Sequence, residues 1–208
     1  SEFFILVFST LMGMHYMVSA GDFMMMYLGL ELASIPLSAL AAFDRYKRVS
    51  AEAGIKFILS SAMSTAFLLF GLSLIYITAG TLHFDALQAA FRPDVLTILG
   101  LVFFVAGMAF KISLVPFHLW TADVYEGSPV AVTAYFSVVS KGAAVFVLIW
   151  VLYHVFGAAA EQWRIILVTL AVLTMTVGNL FALRQQNMKR FLAFSSIAQA
   201  GFILLGML

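Results

Sequence analysis

The chain has 208 residues, of which 63% are hydrophobic and only 10% are charged, and its mean hydropathy is +1.06. This composition excludes an ordinary soluble domain, in which about 25% of residues carry charge. We therefore predict an integral membrane protein whose surroundings are a lipid bilayer, and with a formal net charge of +1 we expect no nucleic-acid partner.

Seven apolar segments follow one another along the chain. Each approaches or exceeds the about 20 residues that a helix needs to cross a hydrocarbon core of about 30 Å. We predict an all-α polytopic helix bundle of about seven transmembrane helices, forming a single transmembrane domain over residues 1–208. The predicted spans are 1–20, 22–43, 50–80, 95–122, 129–156, 161–184 and 187–208. The stretch between the third and fourth spans, 81–94, is predicted to hold a short surface helix.

Basic residues between the predicted spans favour one side of the membrane. A first set of six follows the second and the sixth predicted spans, whose connections lie on the same side, and two lie in connections on the opposite side. Because positive residues accumulate in cytoplasmic loops, the first set is predicted to face the cytoplasm of a bacterial inner membrane. The six are Arg45, Lys47, Arg48, Arg184, Lys189 and Arg190, and the two are Arg92 and Arg164.

Four ionisable residues lie inside predicted spans: Glu31, Lys56, Lys111 and Lys141. Such a charge costs about 2.5–3.5 kcal/mol at the centre of a membrane helix, so each needs a reason to be there. Glu31 and Lys141 lie roughly 14 and 18 Å into their spans at 1.5 Å per residue, close to the bilayer midplane. Lys56 is shallower, and Glu52 four residues before it makes a purely structural ion pair an open alternative.

Polar residues accompany these charges at helical spacing. They are Tyr27, Ser34 and Ser38 around Glu31, then Ser60 and Ser64 after Lys56, Thr133, Ser137 and Ser140 before Lys141, and Ser195, Ser196 and Gln199 in the last span. We predict that these faces point into the bundle, where side chains and trapped water can form a hydrogen-bonded row. Serine and threonine also bond to carbonyls of their own helix, so taken alone they are weak evidence for function.

The stretch GMAFKISLVPFHLW, residues 107–120, places Lys111 five residues before Pro116. Proline lacks an N–H and clashes with the carbonyl four residues back, so we predict a helix break near Pro116. Broken helices expose backbone groups to ions in transporters, and a lysine beside a break is a candidate proton carrier. His118 can titrate near neutral pH and is a candidate for the same relay. A simple kink at Pro116 and a structural hydrogen bond from His118 remain open alternatives.

Several other chemistries have no support in the sequence. The chain has no cysteine, which excludes thiolate iron–sulfur ligation and nucleophilic thiols. Its four histidines, His15, His83, His118 and His154, are never at the spacing of a ligand pair. We therefore predict no catalytic residue, no bound cofactor and no metal site in this chain.

Three stretches resemble the antiporter-like membrane subunits of respiratory complex I, in the branch of subunit N. They are YLGLELASIPLSAL (27–40), FKISLVPFHLWTADVYEGSPVAVTAYFSVVSKGA (110–143) and QQNMKRFLAFSSIAQAGF (185–202). The resemblance implies a fragment of a fourteen-helix fold with two inverted five-helix repeats, in which this chain provides the fourth to tenth helices. It also implies partnership with other membrane subunits of complex I. NADH, FMN, iron–sulfur clusters and quinone are then expected in partner subunits, and this chain has no redox centre.

The same resemblance implies roles for the charged residues. Glu31 matches a glutamate on the fifth helix and Lys111 the lysine of the broken seventh helix, a pair that controls proton uptake in the family. Lys141 matches the central relay lysine of the eighth helix, and Lys56 a further lysine on the sixth. Gln199 departs from the pattern, since many members have histidine there, and the family's exit residue on the twelfth helix is expected beyond residue 208.

Three functions are therefore left to distinguish. The first is a proton-translocating subunit of NADH-quinone oxidoreductase. The second is a subunit of a multisubunit cation/proton antiporter or of a membrane-bound hydrogenase. The third is a structural scaffold whose charges only join helices.

Overall fold

The computed structural model describes all 208 residues and is almost entirely helical, with one isolated β-bridge between Asp22 and His83. The helices are α1 (Glu2–Val18), α2 (Phe23–Ala41), α3 (Arg48–Ala79), α4 (Phe84–Ala90), α5 (Val95–Ile112), α6 (Leu119–Gly127), α7 (Val130–Tyr135), α8 (Lys141–His154), α9 (Ala160–Leu183) and α10 (Met188–Gly206). A π-helical turn, Phe136–Ser140, joins α7 to α8, and a 3₁₀ turn, Gly157–Ala159, precedes α9.

The all-α polytopic fold is confirmed. Six helical stretches are long and apolar enough to cross a membrane: α2, α3, α5, Val130–His154, Gly157–Leu183 and α10. The predicted span 1–20 forms α1, a shorter apolar helix of 17 residues that ends at Val18. The predicted surface helix within 81–94 is α4, and backbone bonds between Phe23 and Leu82 and between Phe84 and Gly21 hold its N-terminal side against the start of α2.

Side-chain caps fix where several helices begin. Asp22, Asp94 and Asn187 each accept a hydrogen bond from a backbone N–H two or three residues further on, which satisfies a donor that the helix leaves free. The hydroxyl and the backbone N–H of Thr97 hold the pKa of the Asp94 carboxyl below its usual value. These caps explain why α2, α5 and α10 begin close to the predicted positions.

The bundle is built from three closely packed helix pairs: α1 with α2, α3 with α5, and α9 with α10. Glycines allow the backbones to approach at these crossings. A Cβ atom on Gly71 of α3 would lie 2.6 Å from the carbonyl oxygen of Gly100 on α5, so only glycine fits there. Small residues at such crossings are typical of membrane helices, whose association depends on close packing.

Two apolar clusters fill the interior. The larger one packs α5 and α8 against α2 and α9, with Phe23, Phe104 and Phe156 in mutual ring contact. The smaller one surrounds α6 and includes Phe57 and Trp120. The second cluster holds α6 inside the bundle, beside the charged residues described below.

Candidate functional site

The helix predicted over 95–122 is broken, as the sequence indicated. Helix α5 ends at Ile112, Ser113 adopts a left-handed conformation with φ 67°, and α6 begins only at Leu119. The second half extends beyond the predicted boundary and ends at Gly127. It remains helical across its acidic residues because neighbouring helices supply cations to them.

Protein groups satisfy the backbone atoms that the break releases. The N–H of Val115 donates to the Thr174 hydroxyl of α9 at 3.0 Å, and the Trp120 indole N–H donates to the Phe110 carbonyl at 3.1 Å. Thr174 is fully buried, so water does not compete for this bond. In a membrane such a break requires internal partners of this kind.

Replacing Thr174 by valine is expected to destabilise the break. The valine keeps the shape but leaves the buried Val115 N–H without an acceptor, at a cost of about 1–3 kcal/mol in the free energy of unfolding. The measurement is the unfolding free energy of the purified protein in mixed micelles. Thr176→Val is the control, because the Thr176 hydroxyl is exposed and bonds only to the Val172 carbonyl of its own helix. Equal losses for the two variants would contradict the assignment.

The Lys111 ammonium lies between α2 and α3. It donates to the hydroxyls of Ser34 and Ser61, each at 2.6 Å. Glu31 is one turn from Ser34 and accepts a hydrogen bond from Thr65, which is one turn from Ser61. Glu31 and Ser34, whose hydroxyl binds Lys111, therefore lie within one turn of each other on α2, but Glu31 and Lys111 form no direct salt bridge.

The Lys141 ammonium is buried against α10. The residue is 5% exposed, and its Nζ donates to the hydroxyl of Ser196 at 2.8 Å and to the Ser196 carbonyl at 3.2 Å. Lys141 follows the π-helical turn directly, and such turns often occur at functional positions. The predicted polar face of the last span thus does point to a buried lysine, although Gln199 itself makes no bond to it.

Lys56 has a different environment, because its ammonium lies between two carboxylates. It forms salt bridges of 2.6 Å with Glu52 and with Asp123 of α6. The sequence indicated the first partner through its helical spacing. It gave no sign of the second, which is 67 residues away along the chain.

Most of the buried polar side-chain atoms without a partner lie in the break or along α6. Five of the six such side-chain atoms belong to residues between 113 and 128: Ser113, His118, Thr121, Tyr125 and Ser128. His118 is buried, and its Nδ1 atom has no hydrogen-bond partner, whereas Pro116 is exposed. Buried groups of this kind are usually satisfied by internal water, so the face of α6 that starts at His118 is suited to hydration.

A cleft of about 470 Å³ lies beside Ser196. Its polar lining residues are Tyr125, Thr133, Ser137, Lys189, Ser195, Ser196 and Gln199. Most of its lining surface is apolar, but these polar groups and its volume leave room for several water molecules. The cleft reaches from the α10 face that binds Lys141 to Lys189 at the start of the helix.

Together these features define a polytopic helical membrane protein with a broken helix and with two lysines between its helices, of which Lys141 is buried. Residues 20–208 match the family described as NADH:quinone oxidoreductase/Mrp antiporter, transmembrane. The chain belongs to this family and is an integral, multi-pass membrane protein.

Curated relatives bear the name NADH-quinone oxidoreductase subunit N. The protein of Phocaeicola vulgatus is 58% identical over 207 residues, covering 100% of this chain and 44% of the relative. That of Desulforamulus reducens is 47% identical, covering 99% of this chain and 44% of the relative. The chain therefore spans less than half the length of these relatives.

Solved structures of three complexes contain chains with the same fold. A chain of respiratory complex I from Thermus thermophilus is 36% identical, with a TM-score of 0.86 over 99% of this chain and 45% of its own length. A chain of an archaeal membrane-bound sulfane sulfur reductase is 30% identical, with a TM-score of 0.89 over 98% of this chain and 42% of its own length. A chain of the Mrp complex from a Dietzia species is 26% identical, with a TM-score of 0.89 over 97% of this chain and 38% of its own length.

Proposed function

We propose that this chain is part of subunit N of a proton-translocating NADH-quinone oxidoreductase in a bacterial inner membrane. Membership in the family and the names of the curated relatives support the proposal. The activity belongs to the longer protein and its complex, since the chain spans 44% of the relative from Phocaeicola vulgatus. Other membrane subunits are the proposed partners.

One observation carries the proposal: Lys111 and Lys141 are held inside the bundle by neutral partners. Neither takes part in any of the six salt bridges of the chain. Their partners are the hydroxyls of Ser34, Ser61 and Ser196. A hydroxyl can accept from an ammonium and donate to a neutral amine, so each lysine can be hydrogen-bonded in both protonation states. A proton can therefore leave and return without breaking the site.

The remaining candidate residues extend this pair into a path. Glu31 lies one helical turn from Ser34, which accepts a hydrogen bond from Lys111, and His118 lies buried at the break, just before α6. Lys56 occupies the shallow end, where two carboxylates surround it. We propose that water completes the links between these groups, since proton transfer across a membrane commonly uses such rows of ionisable residues.

We propose that this chain takes no part in electron transfer. Oxidation of NADH and reduction of quinone, with FMN and iron–sulfur clusters, are assigned to partner subunits. In this account Pro116 keeps the helix broken, and the chain contributes only the proton path.

A second candidate is a subunit of a cation/proton antiporter, because the Mrp complex contains a chain with a TM-score of 0.89. A membrane-bound hydrogenase belongs to the same alternative. A scaffold without transport is the third, and it predicts that the buried lysines affect assembly only.

The proposed function is tested with the full-length protein from its native membrane. The protein is tagged, extracted gently and reconstituted into vesicles, and NADH-to-quinone electron transfer and internal pH are measured together. Co-purifying NADH oxidation that acidifies one side of the vesicle is the expected result. A pH change that needs sodium or potassium, without NADH activity, would instead establish the antiporter.

A further inference from the structure

Five charged side chains form one continuous chain of ion pairs at the end of the bundle where α3 and α10 begin. Their order is Glu52, Lys56, Asp123, Arg190 and Glu126, and the contacts measure 2.6 to 2.8 Å. Negative and positive charges alternate along this row of ion pairs. Three helices contribute: α3, α6 and α10.

Asp123 occupies the middle of this chain, and its two oxygens have different partners. Oδ2 binds Lys56 of α3, and Oδ1 binds Arg190 of α10. The flanking cations each have a second carboxylate, Glu52 for Lys56 and Glu126 for Arg190. Asp123 alone therefore connects the α3 pair to the α10 pair. Without its charge, two cations remain near each other with no anion between them.

The backbone around α6 shows that this end of the helix is fixed tightly. A Cβ on Gly127 would overlap the carbonyl of Val49 on α3. On the other side, the Lys189 ammonium donates to the carbonyls of Glu126 at 3.1 Å and of Ser128 at 2.8 Å. The C-terminal end of α6 is thus held between α3 and α10, whereas its other end joins the irregular break.

Helix α10 links this ionic chain to the buried lysine. Arg190 and Ser196 lie six residues apart on α10, which is roughly 9 Å at 1.5 Å per residue. Ser196 provides both acceptors of the Lys141 ammonium. A shift of α10 against α6 therefore moves the acceptors of Lys141.

We propose that Asp123 is a positioning residue for proton transfer: by joining Lys56 to Arg190 it holds α6 between α3 and α10 and keeps Ser196 at the Lys141 ammonium. The inference rests on the proposed function, in which Lys141 passes a proton. In this proposal Asp123 neither accepts nor releases the transported proton.

The test is Asp123→Asn in the full-length protein within its complex, reconstituted into vesicles. NADH-driven acidification is expected to slow by between about twofold and thirtyfold, the range of couplings carried through packed elements. Glu126→Gln is the matched control, since the two side chains are 32% and 33% exposed and its loss leaves Asp123 joining Lys56 to Arg190. We expect Glu126→Gln to change the rate little and Asp123→Glu to restore it.

A double-mutant cycle separates positioning from general destabilisation. If Asp123 acts through Ser196, Asp123→Asn causes a smaller loss of rate when added to Ser196→Ala than it causes alone, since the alanine variant has already lost the hydroxyl acceptor. Additive losses in the cycle, or equal losses from Asp123→Asn and Glu126→Gln, would overturn the proposal.

A labelling experiment gives a readout that does not depend on proton movement. This chain has no cysteine, so Ser128→Cys in a cysteine-free full-length protein introduces one buried thiol at the end of α6. A membrane-impermeant maleimide should label it faster when Asp123→Asn is present, and not when Glu126→Gln is present. Unchanged labelling of the Asp123→Asn variant refutes the positioning role even if vesicles acidify. If the variant is labelled faster but the protein with Asp123 in place acidifies no vesicles, only the proposed function is refuted.

Discussion

Vesicles containing the Lys141→Met complex are expected to show no NADH-driven acidification. General acid–base groups contribute about 10²–10⁴-fold to proton-transfer rates, so we expect a fall of a hundredfold or more. Methionine retains most of the apolar volume of the lysine but cannot carry a proton. Because Lys141 bonds only to Ser196, whose carbonyl also serves its own helix, the fold should survive. The measurement is the initial acidification rate per assembled complex.

Lys47→Met is the control for loss of a positive charge. Lys47 is an exposed residue whose ammonium pairs with Asp44 at 2.8 Å in the loop before α3. Exposed pairs of this kind contribute about 0–1 kcal/mol to stability, so the variant should assemble and acidify normally. If Lys141→Met acidified vesicles at the rate of Lys47→Met, Lys141 would be a structural residue and the scaffold would be favoured.

The second large effect is expected for Lys111→Met, which removes the ammonium between Glu31 and the break. We expect the acidification rate to fall by about tenfold or more, because an ionisable group inside the membrane is lost from the row. Thr65 of α3 still donates to Glu31 of α2, so a bond between these two helices remains. The acidification rate and the amount of assembled complex are measured on the same preparation.

Single serine variants give the comparison for Lys111. Ser34→Ala and Ser61→Ala each remove one of two hydroxyl acceptors and leave the ammonium in place. Each should therefore slow acidification much less than Lys111→Met does. A larger loss from either serine variant than from Lys111→Met would show that the hydroxyls, rather than the lysine, carry the proton.

The spans and the buried charges could be predicted because their signals are local. A run of apolar residues defines a membrane helix by its own length, and Pro116 marks a break through its own geometry. Lys111 and Lys141 were identifiable because a charge inside lipid is costly wherever its partner lies. The polar faces around Glu31 and Lys141 followed from helical spacing alone.

The partners of these charges could not be predicted, because they come from distant parts of the sequence. Asp123 lies 67 residues from Lys56 and the same distance from Arg190. The predicted span ends at residue 122, just before Asp123 and Glu126, whose charges are costly in an apolar helix. Their pairing with α3 and α10 removes that cost, and the helix continues to Gly127.

The π-helical turn before Lys141 was also not predicted. The apolar pattern from 129 to 156 is continuous and carries no glycine or proline within residues 136–140. Phe136, the first residue of the turn, packs against Phe57 of α3 and Trp120 of α6. Neither contact is visible from local sequence.

The most direct test of the central claim measures the protonation state of Lys141 itself. Lysine labelled with ¹⁵N at the side chain is incorporated into the full-length complex, and solid-state NMR spectra are recorded before and during NADH oxidation, with Lys141→Met to assign the signal. We predict that the Lys141 signal is divided between ammonium and neutral amine positions and that the division changes when NADH is added. A single ammonium signal that stays unchanged under both conditions would contradict proton transfer through this residue.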